Sequence, residues 1–512
     1  MKVLFIYTEV SSAVGYSAGI GILSAILKRK DHQTKLIHIS QELDYPLDLD
    51  RINNDIDKIQ PGLICLSVTT NQWYYARQIG KSIKKEFKIP IIVGGHHPTA
   101  DPEKVITESW VDVVCRGEGD EVLPEVVRRI ESGESLDGIP NLLFKKNEKI
   151  VREPLLSWVK DLDSLPFEDH DVFDYSNIVE TRSGWAEVIV TRGCPYRCSY
   201  CFNEPLFIQY RKDRQTFNGH ILRRKEIVRR RSVDNIIKML MELKRKYPKI
   251  KGFTFVDDVL ARKGAWFDEF SSRYQKEIRL PYACTSQPLL FNESVAKQLK
   301  ESGCKVVKMG IEAGNEQIRK KVLKRNISNE FLINIFKIAK RNGLKPQSFN
   351  MIGIPGESFE NMMETIRLNA KIKPYIVWLS TFNPYPGTAL YQECIKKGMI
   401  DESKWDQINS YRGGTVLKDK YLSSLALKKV QVLFRWFLNA NLNNVCKKIY
   451  MDVIEELLCL DNKKWENGEV EKRFRQIDQQ IDLDLRKKCI DHFVSKKYLN
   501  IFWGEEYQYD LS

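Results

Sequence analysis

The chain has 512 residues, of which 43% are hydrophobic and 29% charged, with only 28 glycines and 19 prolines. This length predicts about three domains, and the composition excludes the disordered, collagen-like and low-complexity classes. The net charge of +14 suits nucleic acid, a membrane surface or an anionic ligand as partner. The first 140 residues hold 16 basic and 20 acidic side chains, so the positive excess belongs to the later domains.

Short apolar runs rich in β-branched residues alternate with helical patterns in the first part of the chain. The runs lie at 3–7, 35–39, 63–68, 90–93 and 111–115. They predict a doubly wound, Rossmann-like parallel sheet at residues 1–140, followed by a linker with a small hairpin at 141–182. Residues 10–27 carry no charge, but four serines and three glycines dilute them, so we predict no membrane span there.

A second alternating series follows the linker. Its six predicted strands lie near 187–191, 252–256, 282–286, 306–311, 347–352 and 377–383. The pattern predicts an α/β fold of the partial (β/α)6, TIM-like barrel type at residues 183–398, with its chemistry at the carboxyl ends of the strands. Strand signals then stop, and residues 399–512 are predicted to form a mainly helical substrate or cap domain. Its amphipathic run contains Val430, Leu433, Phe434 and Phe437.

Three of the eleven cysteines crowd at Cys194, Cys198 and Cys201, directly after a predicted strand. Soft thiolates this close can bind one metal centre, and iron–sulfur clusters use such ligands. On a four-iron cluster, three ligands leave one iron open for a substrate. A closed zinc site needs a fourth Cys or His, and the next candidate is His220 in a basic segment. This cysteine usage does not fit a secreted disulfide framework and predicts a cytoplasmic protein.

The spacing C-x3-C-x2-C, with Tyr200 before the last cysteine, resembles the radical S-adenosylmethionine (SAM) superfamily over about residues 183–390. The resemblance implies that the three cysteines are the catalytic, metal-binding residues and hold a 4Fe-4S cluster whose open iron binds SAM. One-electron reduction would then release a 5′-deoxyadenosyl radical from SAM. Tyr200 and Phe202 are implied as neighbours of these cofactors.

Four further strand ends fit the same superfamily pattern and are implied to contact SAM. Asp257 would hold the SAM ammonium or ribose, although a helix cap or a salt bridge also explains it. Glu312 resembles the ribose-contacting acid of the family, with a structural carboxylate as the alternative. Ser286 would reach the SAM carboxylate. The fifth strand would contact adenine through Met351, Gly353 and Pro355.

Polar or glycine-rich loops follow the strands of the first domain and line one sheet edge, where doubly wound folds bind ligands. Directly ahead of a radical SAM core, they resemble the cobalamin-binding domain of cobalamin-dependent radical SAM enzymes over about residues 1–135. The implied cobalamin contacts are Tyr16, Ser67, Thr69, Thr70, Gly94, Gly95, His96, Gly117 and Glu118. No D-x-H-x-x-G sequence follows the first strand, so the lower cobalt ligand is not expected to be a histidine.

A basic segment at residues 211–231 carries nine basic side chains against two acidic ones. Its aromatic residues are sparse, so we favour a solvated basic loop near anionic ligands over a nucleic-acid surface. Residues 230–234 resemble the segment that opens the first barrel helix in this subgroup, and Ser232 is the expected helix cap.

Together these resemblances imply a cobalamin-dependent radical SAM methyltransferase. It would move a methyl group from SAM through methylcobalamin to an unactivated carbon, after the radical abstracts hydrogen. The C-terminal region, with Trp405, Tyr411, Phe502 and Trp503, is expected to cap the cavity. The implied partners are a small-molecule or natural-product substrate, of anionic character given the charge, and an electron donor such as flavodoxin or ferredoxin. No membrane span is expected.

Three alternatives stay open at this point. The same cofactors could serve a rearrangement, cyclisation or oxidation without methyl transfer. An RNA-modifying methylthiotransferase would carry three more N-terminal cysteines and a β-rich end domain, whereas only Cys65 and Cys115 precede Cys194 and the end is predicted as helical. A non-enzymatic cobalamin sensor would not need the three-cysteine motif.

Overall fold

The structure is a computed structural model that describes residues 1–10, 14–212, 223–408, 414–418, 420, 423–442, 445–488 and 490. The chain divides into two compact units. The first unit contains Met1–Asp258, Pro384–Lys397 and Ser403–Tyr411. The second unit contains Val259–Asn383, Gly398–Glu402 and Arg412–Ser512.

The first unit opens with the predicted parallel sheet. Its strands are β1 (Lys2–Thr8), β2 (Gln33–Ile39), β3 (Leu63–Ser67), β4 (Ile91–Gly94), β5 (Val113–Cys115), β6 (Leu142–Lys146) and β7 (Lys149–Arg152). They are hydrogen-bonded in the order β2-β1-β3-β4-β5-β6-β7. β1 to β5 run parallel, whereas β6 pairs antiparallel with β5 on one side and with β7 on the other, and β6 and β7 form the predicted hairpin. The sheet therefore continues into the segment that the sequence predicts as a linker.

Six helices accompany this sheet. They are α1 (Ala18–Lys28), α2 (Leu49–Ile59), α3 (Trp73–Glu86), α4 (His96–Ala100), α5 (Pro102–Thr107) and α6 (Val122–Ser132). The strands are continuous apolar runs because the helices cover them, and Leu4, Ile64 and Val93 are fully buried against helix residues such as Ile79. Ser17 accepts the Ile20 amide at 3.3 Å and begins α1, so the uncharged stretch ends in a short capped helix.

Six parallel strands of the predicted barrel form the second sheet, and two short strands form a separate ribbon. In chain order they are β8 (Trp185–Val188), β9 (Thr191–Arg192), β10 (Arg229–Arg230), β11 (Gly252–Phe255), β12 (Tyr282–Thr285), β13 (Cys304–Glu312), β14 (Lys345–Ile352) and β15 (Ile376–Thr381). The sheet order is β15-β14-β13-β12-β11-β8, and β9 pairs antiparallel with β10. The prediction of one strand over 187–191 is wrong at its end, because the chain leaves the sheet after Val188.

Helices alternate with these strands as predicted. They are α7 (Tyr175–Thr181), α8 (Asn203–Lys212), α9 (Val233–Lys246), α10 (Ala265–Arg273), α11 (Glu293–Glu301), α12 (Asn329–Arg341), α13 (Phe359–Ile372) and α14 (Ala389–Lys396). The expected cap of α9 is confirmed, since the Ser232 side chain accepts the Asn235 amide at 3.2 Å. In chain order, the fold is thus a doubly wound sheet followed by an α/β half-barrel.

The C-terminal region is helical, as predicted. Its helices are α15 (Ser424–Leu442), α16 (Lys447–Leu458), α17 (Asn462–Glu466) and α18 (Glu469–Lys487). The predicted amphipathic face of α15 is buried and packs in one apolar cluster with Met362 and Ile366 of α13. Of the expected cap residues, Trp405 lies 6.1 Å from the Tyr391 ring, whereas Tyr411, Phe502 and Trp503 lie outside the described residues. No helix in the described ranges is long and apolar enough to cross a membrane.

Candidate functional site

The three-cysteine motif forms one loop between β9 and α8. Cys194, Cys198 and Cys201 are all half-buried, and the Cys201 amide donates to the Cys198 carbonyl at 3.1 Å. Gly193 starts the loop with a φ of +89°, and a side chain there would come within 2.3 Å of the Ile227 carbonyl oxygen. Only glycine allows the chain to leave β9 at this angle and this close to Ile227.

The loop chemistry fits an iron–sulfur cluster. The pKa of Cys194 is raised to about 11 and that of Cys201 to about 12, chiefly by burial and in smaller part by the charges of Asp258 and Cys198. The three sulfurs therefore lie within electrostatic range of one another, and a metal centre would stabilise them as thiolates. Across the described ranges, no three His, Cys, Asp or Glu side chains converge as a single metal ion requires. A four-iron cluster is wider than one ion, so the thiolates at its corners need not meet at a point.

Asp257, predicted to contact SAM, already accepts hydrogen bonds from the protein through one of its two carboxylate oxygens. Its Oδ1 accepts the amides of Val190 at 3.0 Å and Thr191 at 2.6 Å, and the Thr191 hydroxyl at 2.7 Å. These bonds draw the chain out of the second sheet after β8. The Oδ2 atom is buried without a hydrogen-bond partner among the described residues, and burial raises the pKa of Asp257 to about 6. One oxygen therefore holds the turn, and the other has unused acceptor capacity.

Asp258 lies beside the cysteine loop instead. Its carboxylate accepts the Asn203 side-chain amide at 3.0 Å, and the same amide nitrogen lies 3.7 Å from the Cys201 sulfur. Strand-end position in the sequence pointed to Asp257, and neither Asp258 nor Asn203 was predicted. The position of Asn203, two residues after the last cysteine, was the signal available for it.

Two predicted SAM contacts end strands β12 and β13 of the second unit. Ser286 is 1% exposed, and its amide donates to the Lys308 carbonyl at 2.9 Å. Glu312 has a left-handed backbone with a φ of +65°, which is strained for a residue with a side chain. The Arg325 guanidinium lies 3.6 Å from the Glu312 carboxylate, and a side chain at Gly310 would collide with that carboxylate. Strain of this kind clusters at functional sites.

The glycine turn after β14 carries the other predicted SAM contacts, Met351, Gly353 and Pro355. The buried Glu357 carboxylate holds this turn by accepting the amides of Gly353 at 2.7 Å and Ile354 at 3.0 Å. Gly353 has a φ of +80°, and a side chain there would lie 3.1 Å from Leu427 of α15. Glu357 was not among the residues predicted from the sequence.

The predicted cobalamin loops follow β3, β4 and β5 and are bonded to one another. The Thr99 hydroxyl, which lies beyond the Gly94-Gly95 turn, accepts the Gly117 amide at 3.0 Å. Gly95 has a φ of +100° and passes so close to Val68 that a side chain would lie 2.8 Å from its nitrogen. Within these loops, the Thr69 hydroxyl donates to Asn71 and Gln72, and Thr70 contacts His97 at 3.3 Å. Parallel strands bring these loops to one edge, as predicted.

Two of the predicted cobalamin contacts have extensive protein partners. Tyr16 is 9% exposed and packs against the rings of His170, Phe173 and Tyr175. The Glu118 carboxylate accepts both terminal nitrogens of Arg229, at 2.7 and 3.0 Å. These contacts give both side chains a structural role, whichever ligand the loops bind.

A second acidic side chain of the same loop extends this pairing. Asp120 accepts both terminal nitrogens of Arg192, at 2.8 and 2.9 Å, and Arg192 also lies 3.3 Å from Glu118. Arg192 and Arg229 are paired residues of the β9–β10 ribbon. The ribbon therefore connects the loop after β5 to the start of the cysteine loop, two residues before Cys194.

His96 and Phe202 form a further contact between the two loops. Their rings stack with centroids 4.3 Å apart. Desolvation lowers the pKa of His96 and raises that of Asp258, so both surroundings disfavour charge.

The described part of the basic segment is only partly the solvated loop that the sequence predicts, because Arg211, Arg223 and Lys225 are exposed but three other arginines are not. Arg224, Arg229 and Arg231 have exposed fractions of at most 10%. Arg231 donates to the carbonyls of Leu162 at 2.9 Å and Pro166 at 2.9 Å. These three arginines thus pair with carbonyls and carboxylates of the protein itself. Residues 213–222, including His220, lie outside the described residues.

Two family profiles match the chain. The radical SAM superfamily matches residues 188–368, and the B12 binding domain matches residues 6–127. The first match includes the cysteine loop and strands β11 to β14, and the second includes strands β2 to β5 with the glycine loops.

Several curated proteins are similar over most of the chain. An uncharacterised methyltransferase of Pyrococcus horikoshii is 28% identical over 441 residues, which cover 84% of this chain and 90% of the relative. An anaerobic magnesium-protoporphyrin IX monomethyl ester cyclase of Cereibacter sphaeroides is 22% identical and covers 77% of this chain and 63% of its own length. A hopanoid C-3 methylase of Methylococcus capsulatus is 25% identical, and the alignment covers 72% of this chain and 67% of the methylase.

Two solved structures share the fold. The cobalamin-dependent SAM radical enzyme OxsB, with aqua-cobalamin bound, aligns with a TM-score of 0.65 at 14% identity over 96% of this chain and 76% of its own. The radical SAM methyltransferase TsrM of Kitasatospora setae, with tryptophan and a SAM analogue bound, aligns with a TM-score of 0.60 at 16% identity. The alignment covers 77% of this chain and 76% of TsrM.

Proposed function

The chain belongs to the cobalamin-dependent radical SAM enzymes, and from this premise we propose that it is a methyltransferase acting on an unactivated carbon. The observation that carries the proposal is the match to the Pyrococcus methyltransferase over 90% of that protein, because it includes the region beyond both matched domains. The relative named as a hopanoid C-3 methylase supports carbon as the acceptor.

In this proposal the three cysteines bind a 4Fe-4S cluster and the glycine loops bind cobalamin. The cluster would supply the electron that cleaves SAM, and cobalamin would carry the methyl group. Asn203 positions the Asp258 carboxylate beside the loop through its 3.0 Å hydrogen bond. Glu312, held in a strained conformation, is the acid we assign to SAM. Asp257 fixes the turn that delivers the chain to the cysteines.

The substrate proposed is a small molecule of anionic character, and the reductant is a flavodoxin or ferredoxin. The pairing of Arg224, Arg229 and Arg231 within the protein weakens the argument from charge, because these cations already have partners. The proposed compartment is the cytoplasm, because the crowding of Cys194, Cys198 and Cys201 does not fit a disulfide framework.

The test uses anaerobically reconstituted, cobalamin-loaded enzyme with methyl-labelled SAM, in an extract of cells that lack this enzyme. We expect one metabolite to gain the label and 5′-deoxyadenosine to form with it. The Cys198→Ala variant should abolish both products, whereas Cys459→Ala, at an exposed thiol outside the loop, should retain them. A modified metabolite without label would overturn methyl transfer.

The relative named as a cyclase favours a second candidate, a cobalamin-dependent radical reaction that transfers no methyl group. The same incubation separates the two. In this case, 5′-deoxyadenosine would form together with a product whose mass change contains no labelled carbon.

A further inference from the structure

Arg224 is a buried cation that the proposed function leaves unassigned. It lies in the described end of the basic segment, and its side chain is 10% exposed. One terminal nitrogen donates to the Tyr196 carbonyl at 2.9 Å, and the other pairs with the Glu204 carboxylate. The guanidinium also lies 4.4 Å from the centre of the Phe207 ring. Its Nε is buried without a hydrogen-bond partner in the described structure.

These contacts hold the cysteine loop at two points. Tyr196 lies between the first and second cysteines. Glu204 lies three residues after the last one, and its amide donates to the Cys201 carbonyl at 3.2 Å. A planar guanidinium can reach both acceptors at once, whereas a lysine ammonium presents a single point. The side chain therefore fixes the middle of the loop against the start of α8.

The charge of Arg224 acts on the same thiols. Burial and the charge of Arg197 lower the pKa of Arg224, and the charges of the three loop cysteines oppose that decrease. The guanidinium is thus within electrostatic range of all three sulfurs, and arginine stays protonated in proteins.

We propose that Arg224 is a positioning residue of the cluster site, which clamps the cysteine loop and raises the reduction potential of the cluster through its positive charge. The inference rests on the proposed function, since it assumes that the loop holds a cluster. Three thiolates and an oxidised 4Fe-4S core carry a net charge of −1, and one added electron makes it −2. A nearby cation stabilises the more negative, reduced form.

Glu204 opposes this effect, because it places a carboxylate next to the guanidinium. Removing Arg224 both deletes the cation and leaves Glu204 unpaired, so both changes disfavour the reduced cluster. Removing the Glu204 charge alone should favour it. The two substitutions therefore predict shifts of opposite sign.

The experiment is a redox titration of the reconstituted cluster, without SAM or substrate, followed by electron paramagnetic resonance. In R224Q we expect the ratio of reduced to oxidised cluster at a fixed potential to fall about tenfold, which is about 59 mV for a one-electron couple. E204Q should raise the ratio. The matched control is K225Q, which removes a neighbouring exposed charge and should equal the wild type.

Extraction of iron by a chelator separates the clamp from the charge. R224K should shift the potential less than R224Q but lose iron faster than the wild type, because lysine cannot bond both acceptors. If R224Q and E204Q both match K225Q in potential, the inference is overturned while the proposed function stands. E204Q keeps the test informative if R224Q does not fold. A wild-type protein that forms no cluster overturns the proposed function and this inference with it.

Discussion

Arg229 binds Glu118 through both terminal nitrogens, at 2.7 and 3.0 Å, although 111 residues separate them along the chain. Glu118 belongs to the loop after β5, and Arg229 to the ribbon that leads into the cysteine loop. The Arg229 side chain is 8% exposed and that of Glu118 is 16% exposed. This pair is therefore largely desolvated, unlike the ion pairs on the surface.

Replacing Arg229 with methionine should lower the free energy of unfolding of the first unit by about 3 kcal/mol, because the mostly buried Glu118 carboxylate loses its two-nitrogen partner and keeps only the more distant Arg192 cation. The measurement is urea denaturation followed by tryptophan fluorescence. Arg341 and Glu293 provide the control pair, with exposed fractions of 61% and 52%. R341M should cost at most about 1 kcal/mol. An equal cost for both variants would contradict a special role for the buried pair.

The adjacent glycines Gly94 and Gly95 should differ in their tolerance of alanine. A side chain at Gly95 would lie 2.8 Å from the Val68 nitrogen, at a φ of +100°. At Gly94, the nearest atom would be 3.6 Å away, which is ordinary contact. G95A should therefore destabilise the protein by about 1–3 kcal/mol and weaken cobalamin binding, whereas G94A should stay within about 0.5 kcal/mol. Thermal unfolding and cobalamin titration check both, and a tolerated G95A would show that the turn is adaptable.

Replacing Glu312 separates strain relief from function. Because its φ of +65° suits glycine, E312G should relieve strain that offsets part of the lost ion pair with Arg325, so the unfolding free energy should fall by at most about 2 kcal/mol while SAM cleavage is abolished. Lys324 has a φ of +55° and an exposed side chain, so K324G offers the matched relief of strain and should leave cleavage intact. Normal SAM cleavage by E312G would remove Glu312 from the site.

Asp257 should make stability fall as pH rises from about 4 to about 6. Burial holds the pKa of Asp257 at about 6 in the folded chain, against 3.8 as the ordinary value. The native state therefore binds more protons in this window, and unfolding becomes easier as pH rises through it. The loss amounts to about 3 kcal/mol at most, and it should disappear in D257N.

The Thr191→Val variant checks the cause. The Thr191 hydrogen bond lowers the pKa of Asp257, so removing the hydroxyl should extend the window above pH 6. The measurement is the unfolding free energy of each variant from pH 4 to 8. A wild type and a D257N variant with the same pH dependence would contradict this assignment.

The layout of the fold was predictable because its signals are local. β-branched runs between helical patterns predicted both parallel sheets, and the turn residue Ser232 marked the start of α9. The bend after Val188 was not predictable, since it depends on Asp257, which lies far along the chain. The residues up to Thr191 alone suggest a longer strand.

The candidate site was predicted in part for the same reason. Spacing alone identifies the cysteine loop, whereas strand-end position identifies an edge of the sheet and not the partner of a side chain. Glu118 was thus predicted as a cofactor contact, although Arg229 occupies both its oxygens. The basic segment looked solvated because its acceptors, such as the Pro166 carbonyl, leave no charge pattern in the sequence.

The ribbon of Arg192 and Arg229 makes the B12-binding region a poor candidate for transplantation. A fragment that ends anywhere between residues 120 and 191 keeps Glu118 and Asp120 but loses both of their cations. Such a fragment would present two unpaired carboxylates at the loop meant to hold its ligand. A chimaera that contains this sheet therefore needs the ribbon as well. In evolution, the loop after β5 and the cysteine loop would have to be exchanged together.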